Sequence, residues 1–277
     1  MEVFNLKIVF IGTSGDYSLR HLEALEKKFE VISIICAAPR YYEGREDSFS
    51  KRNVLYKNAK KKRIPFYFAK NVSSDRIETV IKKNIIDIPK LGVINAHGAK
   101  LPYYKGPNPD YWIFYFQEKE GAVTIHYIDE GEDSGDIINQ EIFQIPFGMT
   151  RTEYREEILR RSPRLMQQSV LELEKGVAKR KEQQKIKTFR ARNLTPEDRQ
   201  IDFRQWEAAQ AYHFLRGTDM LDGQYERTIW HISIEGYTEE TEKCLGMKNS
   251  ISCRSGGVFY RKRFSPRRMA KLMLQRH

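Results

Sequence analysis

Apolar residues in the first part of the chain come in short unbroken runs rather than alternating with polar ones. Lys7–Gly12 (KIVFIG), Val31–Ala37 (VISIICA) and Leu91–Asn95 (LGVIN) are such runs, and Pro65–Phe68 is a shorter one. Continuous apolar strands indicate a sheet covered on both faces, as in parallel α/β proteins. Between them, Ser18–Lys28 has helical spacing, with Leu19, Leu22 and Leu25 apolar, and Asn53–Lys62 reads as a second helix. The repeated strand–helix–strand order predicts an α/β fold with a Rossmann-like, doubly wound, mostly parallel sheet.

Further along, Asp110–Gln117 reads as an aromatic helix, and Gly121–Ile128 (GAVTIHYI) and Asp136–Ile145 (DIINQEIFQI) as strands. Thr150 followed by Glu153 is a capping-box signature. It opens a helical stretch toward Gln184, with a break expected near Pro163. The character changes near Phe189. TPED at 195–198 reads as a turn and helix start, Ala208–Arg216 as a helix, and Thr228–Ile234 and Gly257–Phe264 as short β pieces. The prediction is a catalytic domain over 1–188 and a smaller C-terminal α+β or β domain over 189–277.

With 40% hydrophobic and 12% aromatic residues, the chain has enough apolar surface for a proper core. No run approaches ~18 apolar residues, so no transmembrane helix is expected, and the start lacks the pattern of a signal peptide. Cys36, Cys244 and Cys253 are an odd count without metal-like spacing, which fits a reducing cytoplasm. The net charge of +11 points to acidic partners. It is concentrated at Lys57–Arg63, Lys179–Arg192 and Arg261–Arg276.

Three polar residues stand out. Asn95 and His97 end an apolar strand, and their two-residue spacing puts both side chains on one face. The carboxyl end of a parallel strand is where open α/β sheets bind ligands. Asp133 lies in the loop IDEGEDSGD, whose Gly131 and Gly135 let backbone approach a ligand. The calcium-loop pattern is absent there. His126 reads as structural.

The stretches NAHGAKLPYYKGPNPDYW (95–112) and GAVTIHYIDEGEDSGDII (121–138) resemble the folate-dependent formyltransferase family. FIGTSGDYSLRHLEAL is similar to the family's first strand–loop–helix, and TPEDRQIDF to the start of its second domain. The resemblance implies 10-formyltetrahydrofolate as donor, a primary amine as acceptor and no metal. In that chemistry Asn95 donates to a developing oxyanion, His97 takes the amine's proton, and Asp133 orients the imidazole and favours its cation. It also implies a folate contact at Ile128, Asp129, Glu130 and Gly131. The acceptor would lie across Thr13 and Ser14, with Tyr103, Tyr104 and Trp112 either shaping its pocket or packing.

The GPNPDYW spelling is most similar to the sugar-nucleotide N-formyltransferases. The expected acceptor is therefore a GDP- or dTDP-linked aminodideoxy sugar of bacterial lipopolysaccharide biosynthesis, with no membrane partner and a homodimer as an option. Two alternatives stand beside it. The charge suits methionyl-tRNA, although the place of the tRNA enzymes' basic insertion reads PRYYEGREDSF, short and of mixed sign. A non-catalytic binding paralogue is the other, because the stretch from Pro65 to Leu91 is short of the family's folate-contacting strand. Ala99 stands where the family usually has Ser.

Overall fold

A computed structural model describes residues 5–37, 53–69, 83–222, 230–244 and 247–269. The PRYYEGREDSF segment, most of the short stretch before Leu91 and the end of the basic tail lie outside the described residues. The chain divides into two compact units: residues 1–107, 122–142 and 157–190 form one, and 108–121, 143–156 and 191–277 the other.

In the first unit, β1 (Lys7–Gly12), β2 (Glu30–Ala37) and β3 (Phe66–Ala69) form a parallel sheet in the order β1-β2-β3. Helix α1 (Asp16–Glu26) buries Ser18, His21, Leu22 and Leu25. The second helix, α2 (Val54–Lys62), is capped by Asn53, whose side chain accepts from Leu55 N and Tyr56 N at 2.8 and 3.1 Å. That cap satisfies two of the amides a helix start leaves without partners. A single short turn, α3 (Lys83–Ile86), precedes β4 (Ile94–His97).

The prediction that Asn95 and His97 end a parallel strand is not met by the described residues. β4 pairs antiparallel with β5 (Glu120–Tyr127), which lies next to β6 (Ile137–Gln144). A run of apolar residues reports burial but not strand direction. Here one short helix, α4 (Pro109–Tyr115), and its flanking loops return the chain beside β4 in the opposite sense.

Helix α5 (Arg151–Glu174) starts with the expected capping box: Glu153 N donates to Thr150 Oγ1 at 3.2 Å, and Thr150 N donates to Glu153 Oε2 at 2.7 Å. The expected break at Pro163 does not occur. Proline removes one ladder bond, and burial of its neighbours Ser162, Leu165 and Met166, with Gln167 Nε2 donating to Ala24 O, holds the helix across it. The helix also ends ten residues before Gln184. Gly176, at φ +68°, takes the left-handed conformation, with its N–H on Leu173 O and that of Val177 on Glu172 O, a Schellman stop.

In the second unit, α4 packs on α6 (Ala208–Thr218) through Tyr111, Trp112 and Phe214. Gly217 allows this approach: a Cβ there would meet the Phe114 ring at 2.0 Å. The rest of this unit includes a short helix, α7 (Thr241–Cys244), and an antiparallel sheet β7-β9-β8, made of Trp230–Thr238, Gly257–Phe264 and Ser250–Ser252. Among the described residues, no helix is long and apolar enough to cross a membrane.

Candidate active site

The register of β4 against β5 sets Asn95 opposite His126 and His97 opposite Thr124. Asp133 arrives from the loop between β5 and β6. It is held at φ 48°, a left-handed conformation that Asp and Asn tolerate better than most residues. Gly135 lets that loop close: a Cβ there would meet Tyr127 O at 2.0 Å. Gln183, arriving after α5, fixes the loop from outside by donating to the carbonyls of Asp133 and Gly135 at 2.9 and 2.7 Å.

The structure thus brings the three predicted residues together. His97 Nδ1 lies 3.4 Å from Asp133 Oδ2, and both side chains are buried. Gly106 N donates to the same oxygen at 2.8 Å. His97 Nε2 donates to Tyr104 O at 2.9 Å, since a carbonyl can only accept. A neutral ring with its proton on Nε2 turns a bare Nδ1 toward the carboxylate, so only the imidazolium satisfies both neighbours. Burial is the larger influence and lowers the His97 pKa, while the Asp133 charge opposes it and raises it. The ring is held between its two protonation states by opposing forces.

His126, read from sequence as structural, joins this cluster. Its Nδ1 donates to Tyr127 O at 2.7 Å. Its Nε2 lies 3.4 Å from Asn95 Nδ2 and 3.4 Å from Asp133 Oδ1. The GAVTIHYI run carried the clue, because alternation along β5 puts His126 on the face that Asn95 meets.

The loop Gly98–Pro107 that carries Tyr104 is pinned by residues the sequence did not single out. Thr124 Oγ1 donates to Ala99 O at 2.6 Å, and Gln140 Nε2 to Leu101 O at 3.0 Å. Ala99 is fully buried and is held through its backbone. Tyr103 is 47% exposed, and the Tyr104 ring lies 6.4 Å from that of Phe189. Trp112 packs: it is buried, with Nε1 donating to Arg192 O at 2.9 Å.

Thr13 and Ser14 occupy the turn between β1 and α1, where Thr13 N donates to Ser18 Oγ at 2.9 Å. Ile128 N donates to Val93 O at 2.8 Å, and Asp129 Oδ1 accepts from Gly131 N at 3.0 Å. Asp129, Glu130 and Gly131 are exposed.

Residues 6–170 match the family described as Formyl transferase. The chain belongs to that family. Among its curated relatives is a methionyl-tRNA formyltransferase of Ruminiclostridium cellulolyticum, 28% identical over 173 residues, which are 60% of this chain and 55% of that protein. A second, from Clostridium beijerinckii, is 27% identical over 256 residues, 86% of this chain and 79% of that one. The match thus spans about half the length of the first relative and more of the second. Among solved structures, the sugar 3N-formyl transferase WlaRD, crystallised in the presence of dTDP and 5-N-formyl-THF, superposes with a TM-score of 0.63 at 18% identity, covering 95% of this chain and 98% of that one. At that identity the likeness speaks for the formyltransferase fold alone.

The expectation of a nucleotide-linked aminosugar acceptor is overturned by the relatives, which are named for methionyl-tRNA. The blocks that carried the sugar reading surround Asn95, His97 and Asp133. Every acceptor amine needs the chemistry of those residues, so their spelling separates acceptor classes poorly.

Proposed function

We propose that this chain transfers a formyl group from 10-formyltetrahydrofolate to the α-amine of methionyl-tRNA. The observation that carries the transfer is the buried His97–Asp133 pair at 3.4 Å beside Asn95. The donor supplies an activated formyl carbon. When the amine attacks it, a nitrogen–carbon bond forms and the carbonyl oxygen gains charge. Asn95 Nδ2 carries two hydrogens, so it can serve His126 and that oxygen at once, and loss of such a donor costs ~10²–10³ in rate.

His97 takes the proton the amine loses, with Asp133 stabilising the imidazolium. It then returns the proton to the folate nitrogen as the old carbon–nitrogen bond breaks. For this His97 Nε2 exchanges the Tyr104 carbonyl for the acceptor nitrogen. Ile128, Asp129, Glu130 and Gly131 would hold the folate through an exposed backbone. A buried acid–base pair with an amide at its side fits a formyl donor without further groups.

The acceptor assignment draws on the relatives' names and on charge. The net charge is +11, and β9 presents Arg261, Lys262 and Arg263 exposed, as a phosphodiester ligand requires. The test offers purified protein and donor to methionyl-tRNA and, in parallel, to a panel of nucleotide-linked aminosugars, with products read by mass spectrometry. Formylated methionyl-tRNA is expected, with tRNA affinity falling about 100-fold from 50 to 200 mM salt if about four phosphates are engaged. Formylation of the sugars with the tRNA untouched would overturn the reading.

A further inference from the structure

Behind β4 lies a buried chain of side chains that the site as described does not use. Ile128 N donates to Val93 O. Antiparallel alternation from that bond makes Asn95 and His97 the residues whose backbone faces β5, and turns the Ala96 carbonyl to the opposite edge. Among the described residues no strand covers that edge, since β4 is the outer strand of its sheet. The group that meets the carbonyl is the Tyr17 hydroxyl of α1, which donates to Ala96 O at 3.2 Å.

Tyr17 is itself positioned by α5. Its hydroxyl lies 2.9 Å from Ser162 Oγ, which lies 2.7 Å from His21 Nε2, and His21 Nδ1 donates to Tyr17 O at 2.8 Å. The directions of donation follow. Because His21 Nδ1 faces a carbonyl it carries the proton of the neutral ring. Ser162 then donates to the bare Nε2 and accepts from Tyr17, whose one proton is shared with Ala96 O. Ser162 and His21 are buried, and the Tyr17 and His21 rings pack with centroids 4.3 Å apart.

We infer that Tyr17, braced by Ser162 and His21, is a positioning residue for formyl transfer, setting the pitch of the one peptide between Asn95 and His97. The inference rests on the proposed formyl-transfer activity. Its logic is geometric: β4 is four residues long, and its two functional side chains project from either side of Ala96. A shift at that carbonyl moves both relative to Asp133, which is anchored separately through Gly106 and Gln183.

The test is Tyr17→Phe, which removes the hydroxyl and keeps the ring, with Ser162→Ala as a second variant that leaves the Ala96 contact. Expected for Tyr17→Phe is a fall in kcat of about 10- to 100-fold, the scale that misplacement of reacting groups produces. KM for donor and acceptor should stay within about twofold, and Ser162→Ala should show a smaller fall in kcat. The His97 ring resonances, titrated by NMR without substrates, should shift their midpoint in Tyr17→Phe. Unchanged kcat together with an unchanged His97 titration would overturn the inference. A wild-type protein that formylates nothing would sink the activity and leave the His97 titration to decide the positioning role.

Discussion

Replacing Asp133 by Asn separates charge from shape at the centre of the site. Asn fits the left-handed backbone at φ 48° at least as well as Asp. Its amide oxygen can replace Oδ2, accepting from Gly106 N and from a protonated His97 Nδ1, while its NH₂ faces the Nε2 of His126. What disappears is a unit negative charge 3.4 Å from His97 Nδ1. At an effective dielectric constant of about 20, that charge is worth roughly 5 kcal/mol to the imidazolium. A neutral amide still returns about 1–2 kcal/mol as a hydrogen bond. The net loss in the step where His97 becomes cationic is therefore about 3 kcal/mol, or roughly a 100- to 300-fold fall in kcat.

The assay is single-turnover formylation with donor in excess, followed across pH, alongside thermal unfolding of the same samples. Because the Asp133 charge raises the His97 pKa against burial, the acid limb of the rate profile should move to lower pH in the variant. Tm should change little. A variant within about threefold of wild type, with its acid limb unmoved, would refute the assigned role of the carboxylate.

His97→Ala should abolish formyl transfer while leaving tRNA affinity, measured by filter binding, largely intact; wild-type turnover would remove His97 from the chemistry. Burial lowers the His21 pKa to about 4, so between the unfolded value near 6.5 and that midpoint the unfolded chain binds a proton the folded one refuses. Stability should fall on acidification through this window by about 3 kcal/mol from His21. Urea titrations at several pH values check this, and His21→Gln should flatten part of the slope. Gly217→Ala sets a helix-propensity gain of about 1 kcal/mol against a Cβ driven into the Phe114 ring at 2.0 Å. Overpacking should win, with a net loss of about 1–2 kcal/mol in urea unfolding, and a stabilised variant would contradict the packing described.

Local structure was readable wherever a short-range cause sets it. The apolar runs marked β1 and β2, Asn53 marked the start of α2, and Thr150 with Glu153 marked that of α5. Pro163 misled because its cost is fixed by the sequence, whereas the packing that offsets it comes from α1, far away along the chain. The course of α5 was overextended because Gly176 was not weighed as a left-handed stop. At the site, the convergence of Asn95, His97 and Asp133 was anticipated. His126 was not, since its role depends on strand register rather than composition. Contacts such as Tyr17 to Ser162, 145 residues apart, have no local signature. The acceptor was illegible for a different reason: it is chosen by surface outside the catalytic cluster.

The most direct measurement is the intact mass of the aminoacyl group on methionyl-tRNA after incubation with this protein and 10-formyltetrahydrofolate. The account predicts a gain equal to one CO on the methionine amine, lost with His97→Ala and strongly slowed with Asp133→Asn. Methionine left unmodified by a folded, donor-bound wild-type protein would contradict it.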